Sequence, residues 1–160
     1  MNKMLKVLIL VMLTLLLTTT LVTGRTVHEA REIQTLLLKG SATLHKNYAS
    51  LFLLVNEIKR GASAGSSVDF LTARSTVETI KYTLLDSRDY FSRAKDINGP
   101  EDLCSRKIGE ITGLLEEMDR LGKDLKAEIV PSGEWFRALN EKYLECLRVD
   151  PLAGAHALKQ

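Results

Sequence analysis

Cys104, Ile108, Ile111, Leu115, Met118, Gly122, Leu125 and Ile129 follow one another at steps of four and three residues without interruption. No other feature of the chain narrows its possible folds as much. A helix turns once in about 3.6 residues, so this alternation keeps all eight positions on one face, whereas the period of two in a strand would scatter them to both sides. The pattern is a heptad-like seam, and an apolar seam cannot be buried by one helix alone. Away from it, Glu116, Arg120 and Asp124 form an opposite-charge ladder at i, i+4, with Asp119 and Lys123 beside it, which marks a solvated face. A long helix packed along one side by neighbours is the expectation.

Neighbours are present in the sequence. Before the seam, Phe70, Val77, Ile80, Leu84, Phe91 and Ala94 share a face within a helix predicted from about Val68 to Ile97, with Leu71 and Leu85 widening it. Asn98-Gly99-Pro100 stops that helix, and Pro100, Glu101 and Asp102 suit the first turn of the next: the missing proline amide is harmless there, and acids oppose the positive end of the dipole. Further upstream, Ala30, Ile33, Leu37, Leu44, Tyr48, Leu51, Val55 and Ile58 form a third stripe. Thr26-Val27-His28-Glu29 reads as a capping box that starts this helix at Val27. Gly40 lies inside the stripe, where it predicts a kink or a close helix approach. Residues 61–67, GASAGSS, read as a flexible linker. After Val130-Pro131, Ser132 caps a shorter helix from about Gly133 to Arg148, with Trp135, Phe136, Leu139, Tyr143, Cys146 and Leu147 on its apolar side. No stretch alternates at period two. The predicted fold is all-α: an antiparallel up-down helical bundle of three long helices and one shorter C-terminal helix.

Ahead of the bundle stands a different kind of segment. Lys3 and Lys6 precede an apolar run from Val7 to Leu17, then a threonine-rich stretch ending Val22-Thr23-Gly24, the three regions of a secretory signal peptide. The expected organisation is a cleaved signal peptide at 1–24, a helical-bundle domain at 25–149 and a flexible tail at 150–160. The competing expectation is a retained signal anchor, since a bilayer core takes about 20 apolar residues and the run approaches that length by including its threonines. Cleavage would remove two lysines and no acids, taking the 22 basic residues to 20 against 20 acidic ones. The mature chain is then formally neutral and has no cluster of Lys and Arg, which argues against a nucleic-acid partner.

Cys104 and Cys146 fall on apolar positions in a chain expected to leave the cytosol, so an intramolecular disulfide between them is predicted. Geometry sets a condition on it. If the third helix ran straight to Ile129 and the fourth folded directly back, Cys146 would face Glu116, roughly 18 Å from Cys104, beyond the ~7 Å reach of a disulfide. Pairing therefore predicts that the third helix ends or bends near Gly122. A bond to a second chain and two buried free thiols are the alternatives.

Chemistry is sparse. His28 and Glu32 are one turn apart at a solvated helix start, His45 lies beside the apolar stripe, and His156 is in the tail. The chain lacks the Glu-x-x-His pairs of di-metal bundles, Cys-x-x-Cys-His, a glycine-rich phosphate loop and a nucleophile elbow. Asp86, Asp89, Glu116, Glu117 and Asp119 read as a solvated acidic face. No catalytic residue, cofactor or metal is predicted, and the chain is read as a non-enzyme. What stands out is Leu51-Phe52-Leu53-Leu54-Val55, five apolar residues that cover more than one helix face, together with Trp135-Phe136. These seven residues form the candidate apolar binding surface. The expected function is a secreted or periplasmic module that binds another protein; a carrier holding a lipid or other small apolar ligand between its helices is the alternative, and membrane contact is expected only with a retained leader.

Overall fold

A computed structural model of the chain describes the backbone of residues 3–63 and 68–148 and the side chains of 26–63 and 68–148. The described residues form four helices and no strand: α1, Lys3–Ser63; α2, Phe70–Asp96; α3, Glu101–Lys126; and α4, Gly133–Leu147. They pack as an all-α bundle around one main core, with a smaller cluster of Leu36, Ala94 and Cys104 beside it.

Most boundaries follow from local chemistry. The Asp69 carboxylate starts α2 by accepting from the backbone N–H (3.0 Å) and the hydroxyl (2.7 Å) of Thr72. The helix stops where Asn98 turns left-handed at φ 64° and the Gly99 N–H donates back to the Ala94 carbonyl at 2.7 Å. A Cβ on Gly99 would sit 2.4 Å from that oxygen, which is why glycine is needed. Glu128, at φ 57°, ends α3 in a similar way, with the Ile129 N–H on the Asp124 carbonyl. Ser132 caps α4 through the Trp135 N–H.

Two predicted boundaries move. Thr26 does not start a helix, because α1 passes through it unbroken from Lys3; the preceding turn supplies the carbonyls that a cap would otherwise replace. Part of the predicted linker is also helical, since α1 continues to Ser63. Residues 64–67 and the tail, with His156, lie outside the described residues.

Packing shifts the α3 seam. The buried positions are Cys104, Lys107, Ile111, Leu114, Met118, Leu121 and Leu125, while Ile108 and Leu115 are only partly covered and Ile129 is exposed. α3 packs against both α2 and α4, so the inward direction falls between the two stripes that a single-partner pattern would select. The predicted widening of α2 by Leu71 and Leu85 is not used for burial: both are exposed.

Polar contacts fix how the helices meet. The Ser87 hydroxyl donates to the Gly40 carbonyl (2.8 Å), and the Asn47 amide donates to the Ile80 carbonyl (2.7 Å). Lys81 pairs with Asp119, and Lys95 with the Ser105 hydroxyl. The Lys107 ammonium reaches the carbonyls of Cys146 (2.6 Å) and Arg148 (3.0 Å). Gly40 and Asn47 of α1 thus meet Ser87 and Ile80 of α2, and Lys81 and Lys95 of α2 meet Asp119 and Ser105 of α3. At Gly40 the Phe91 ring comes so near that a Cβ would lie 2.8 Å from its Cε2, which realises the close approach without breaking α1.

The predicted Cys104–Cys146 disulfide is absent; both cysteines are free and buried. α3 neither bends nor ends at Gly122 but runs to Lys126. Residues 127–132 instead run back along it, bringing the Trp135 indole within bonding reach of Glu117 and setting Cys146 opposite Lys107 rather than Glu116. The axial gap that argued against a bond is thus largely closed, yet the thiols face different clusters. Cys104 packs with Leu36 and Ala94, and Cys146 packs in the main core.

Candidate functional site: the groove between α1 and α4

The five-residue apolar run divides by helical phase. Leu51 and Leu54 are buried, Val55 is half-buried, and Phe52 and Leu53 remain 57% and 65% exposed. Phe136 is buried in the core, and half-buried Trp135 stacks edge-on against it with ring centroids 5.2 Å apart. Four of the seven predicted surface residues, Leu51, Phe52, Val55 and Phe136, line one hollow between α1 and α4, whereas Leu54 is in the core and Trp135 turns its indole to Glu117 on α3. Leu53 does not join them: one residue on from Phe52, it points about 100° away around α1.

Between α1 and α4 lies a groove of about 380 Å³. Its floor and wall are Leu51, Phe52, Val55 and Phe136. Tyr48 and Asn140 also line it, the tyrosine hydroxyl donating to the Asn140 amide oxygen at 2.8 Å. Lys59, Arg137, Asn56 and Gly133 complete the lining, and the Lys59 ammonium lies 5.8 Å from the centre of the Phe136 ring. On α1, Tyr48, Phe52, Val55 and Lys59 succeed one another at i+4, i+3 and i+4, so they form one continuous edge. On α4, Arg137, Asn140 and Leu144 do the same, and Leu144 is 44% exposed.

Of the groove's lining, the sequence singles out Leu51, Phe52, Val55 and Phe136 but not Tyr48, Asn56, Lys59, Arg137 or Asn140. Lys59 and Arg137 look like ordinary surface charges until α4 is laid against α1. A second cleft, of about 490 Å³, lies between α2 and α3 and is lined by Arg74, Lys123 and Lys126 among others. One of its cations, Lys81, is held by Asp119 at 2.7 Å and Glu78 at 3.3 Å.

The remaining candidates do not converge. His28 and Glu32 are exposed, and His45, also exposed, lies with its Nδ1 2.9 Å from the Ser41 carbonyl oxygen one turn back. Of the acidic face, Asp86, Asp89 and Glu116 are exposed, Glu117 binds Lys142 and Trp135, and Asp119 binds Lys81. Among the described residues no group of three His, Cys, Asp or Glu side chains is placed to hold a metal ion. Burial pushes the Cys146 thiol up to about 12 and raises that of Cys104, so both are held as neutral, weakly nucleophilic thiols.

No family model, curated protein or solved structure matches this chain.

Proposed function

We propose that this chain is a non-catalytic helical-bundle module, exported from the cytosol, that binds another protein through the α1–α4 groove. The observation that carries this reading is the exposure of Phe52 at the edge of a groove whose other apolar walls are fixed by the core. A large aromatic side chain left open beside a preformed hollow resembles the centre of a binding hot spot. The interior between the helices is filled by side chains such as Tyr143, Phe91 and Met118, so a carrier of apolar ligands would first have to open the bundle.

Photo-crosslinking tests the proposal. With p-benzoylphenylalanine at position 52, a discrete adduct to one protein is expected in the native host, whereas the same probe at exposed Tyr82 gives none. Equal labelling from both positions, or none from either, would sink the reading.

One observation favours a second reading of the leader. α1 is a single helix from Lys3 to Ser63, passing through the expected cleavage point after Gly24. A retained leader would continue directly into the bundle and hold it against a membrane. Among residues 26–63 and 68–148 no helical segment is long and apolar enough to cross one, so any anchor would have to be the leader itself. The intact mass of the native protein separates the readings: a chain beginning at Arg25 supports export with cleavage, and a full-length chain supports the anchor.

A further inference from the structure

We infer that the partner presents an acidic amphipathic helix, which lies in the α1–α4 groove with its apolar face on Phe52, Val55 and Phe136 and its carboxylates on Lys59 and Arg137. The inference rests on the protein-binding reading above and specifies the chemistry of the partner.

Charge carries the argument. Two cations line the groove and no carboxylate does. Neither Lys59 nor Arg137 has an acidic partner among the described residues, whereas the α2–α3 cleft carries two carboxylates of its own, Glu78 and Asp119, which hold Lys81. An incoming carboxylate at the groove therefore displaces no existing ion pair. One cation comes from each helix, Lys59 from α1 and Arg137 from α4, beside the apolar lining, and such an arrangement matches a ligand whose apolar stripe is bordered by acids. Length agrees: Tyr48 to Lys59 covers about 16 Å of α1, the rise of three turns of helix.

Trp135, the one tryptophan in the chain, is half-buried and stacks edge-on against the groove-lining Phe136, so its fluorescence reports on the groove. The experiment titrates the full chain with two peptides of about 14 residues, both with Leu and Phe at i, i+4, i+7 and i+11. One carries Glu at the flanking positions and the other Lys. Vesicles of anionic phospholipid form a third probe. The Glu peptide is expected to bind at least about ten-fold more tightly than the Lys peptide, and to weaken as salt rises. The double variant Lys59→Glu, Arg137→Glu should lose about ten-fold in affinity for the Glu peptide. Both side chains are exposed, and an unchanged far-UV circular dichroism spectrum verifies that the fold is intact.

Failure of the Glu peptide to bind, equal binding of the two peptides, or an undiminished affinity in the double variant would each overturn the inference. So would vesicle binding that depends on Lys59 and Arg137, which would assign the groove to a lipid surface. The underlying reading fails separately. A crosslink from position 52 that persists in the double variant leaves a protein partner without the acidic preference, and absence of any crosslink in the parent chain removes the partner itself.

Discussion

Replacing Asn47 with Ala should destabilise the bundle far more than its position on a polar-looking stretch suggests. Asn47 is 1% exposed and ties three helices together. Its amide donates to the Ile80 carbonyl and the Thr83 hydroxyl on α2, and its oxygen accepts from the Tyr143 hydroxyl on α4 at 2.7 Å. The two acceptors on α2 keep other partners, since the Thr83 hydroxyl also reaches the Ile80 carbonyl at 3.0 Å. Tyr143 does not: it is fully buried, and its phenol would lose the one acceptor it has among the described residues. Stranding a buried hydroxyl costs about 1–3 kcal/mol. The small cavity left by the amide adds roughly 1 kcal/mol. A loss of about 3 kcal/mol would lower the urea midpoint by about 1–2 M for a bundle of this size. Equilibrium urea unfolding followed by circular dichroism measures it. Tyr143→Phe supplies the control, because removing both partners leaves less stranded than removing one. The double variant should be more stable than the sum of the single losses predicts, by about 1–2 kcal/mol. A loss under about 0.5 kcal/mol for Asn47→Ala, or strict additivity in the cycle, would refute the claim that this contact bears on stability through Tyr143.

Gly40→Ala should lower stability by about 1–2 kcal/mol in thermal melts, despite the roughly 1 kcal/mol it adds in helix propensity, because its Cβ would overlap the buried Phe91 ring; a more stable variant would show that the helices part without cost. The thiols of Cys104 and Cys146 should resist Ellman's reagent in the folded protein at pH 8 and react together in denaturant, with no mass change on reduction; rapid labelling of either in the native state would contradict their burial. The Lys142 ammonium, helped by the Trp135 indole, holds the Glu117 carboxyl below the ordinary glutamate value, against the opposing pull of burial. The charged form is thus favoured by folding, so its contribution is full above the ordinary value and is lost as pH falls through the lowered one. Glu117→Gln should accordingly flatten the acid limb of stability against pH, and an unaltered limb would remove Glu117 from the account. Lys107→Met keeps the aliphatic stem but abandons the carbonyls of Cys146 and Arg148, and should fray the end of α4, seen as faster amide exchange over residues 143–147.

The sequence revealed the helices more completely than the site. Pro100, Ser132 and the pair Asn98-Gly99 act within one turn of themselves, so their effects could be read without knowing any neighbour. The apolar half of the groove was visible for a similar reason, since five consecutive apolar residues cannot all face one partner. Its cations were not, because an unpaired Lys59 differs from a paired one only in what stands opposite. The disulfide expectation failed on the same ground. Cysteine number and apolar phase suggested a bond, but which cluster each thiol enters is set by how α4 returns along α3.

Local spacing by itself determined that this chain is helical, where α3 begins, where α2 and α4 begin and end to within about two residues, and which broad face of each is apolar, because those properties depend on backbone sterics and on residues three and four apart. Only the tertiary structure decided which of two adjacent positions turns inward, as at Lys107 and Leu114 rather than Ile108 and Leu115. It also decided that Asn47 and Lys107, polar in any composition count, belong inside. A helix face is about as wide as the difference between those choices. The second neighbour across the core, with its own hydrogen-bonding groups, selects among them.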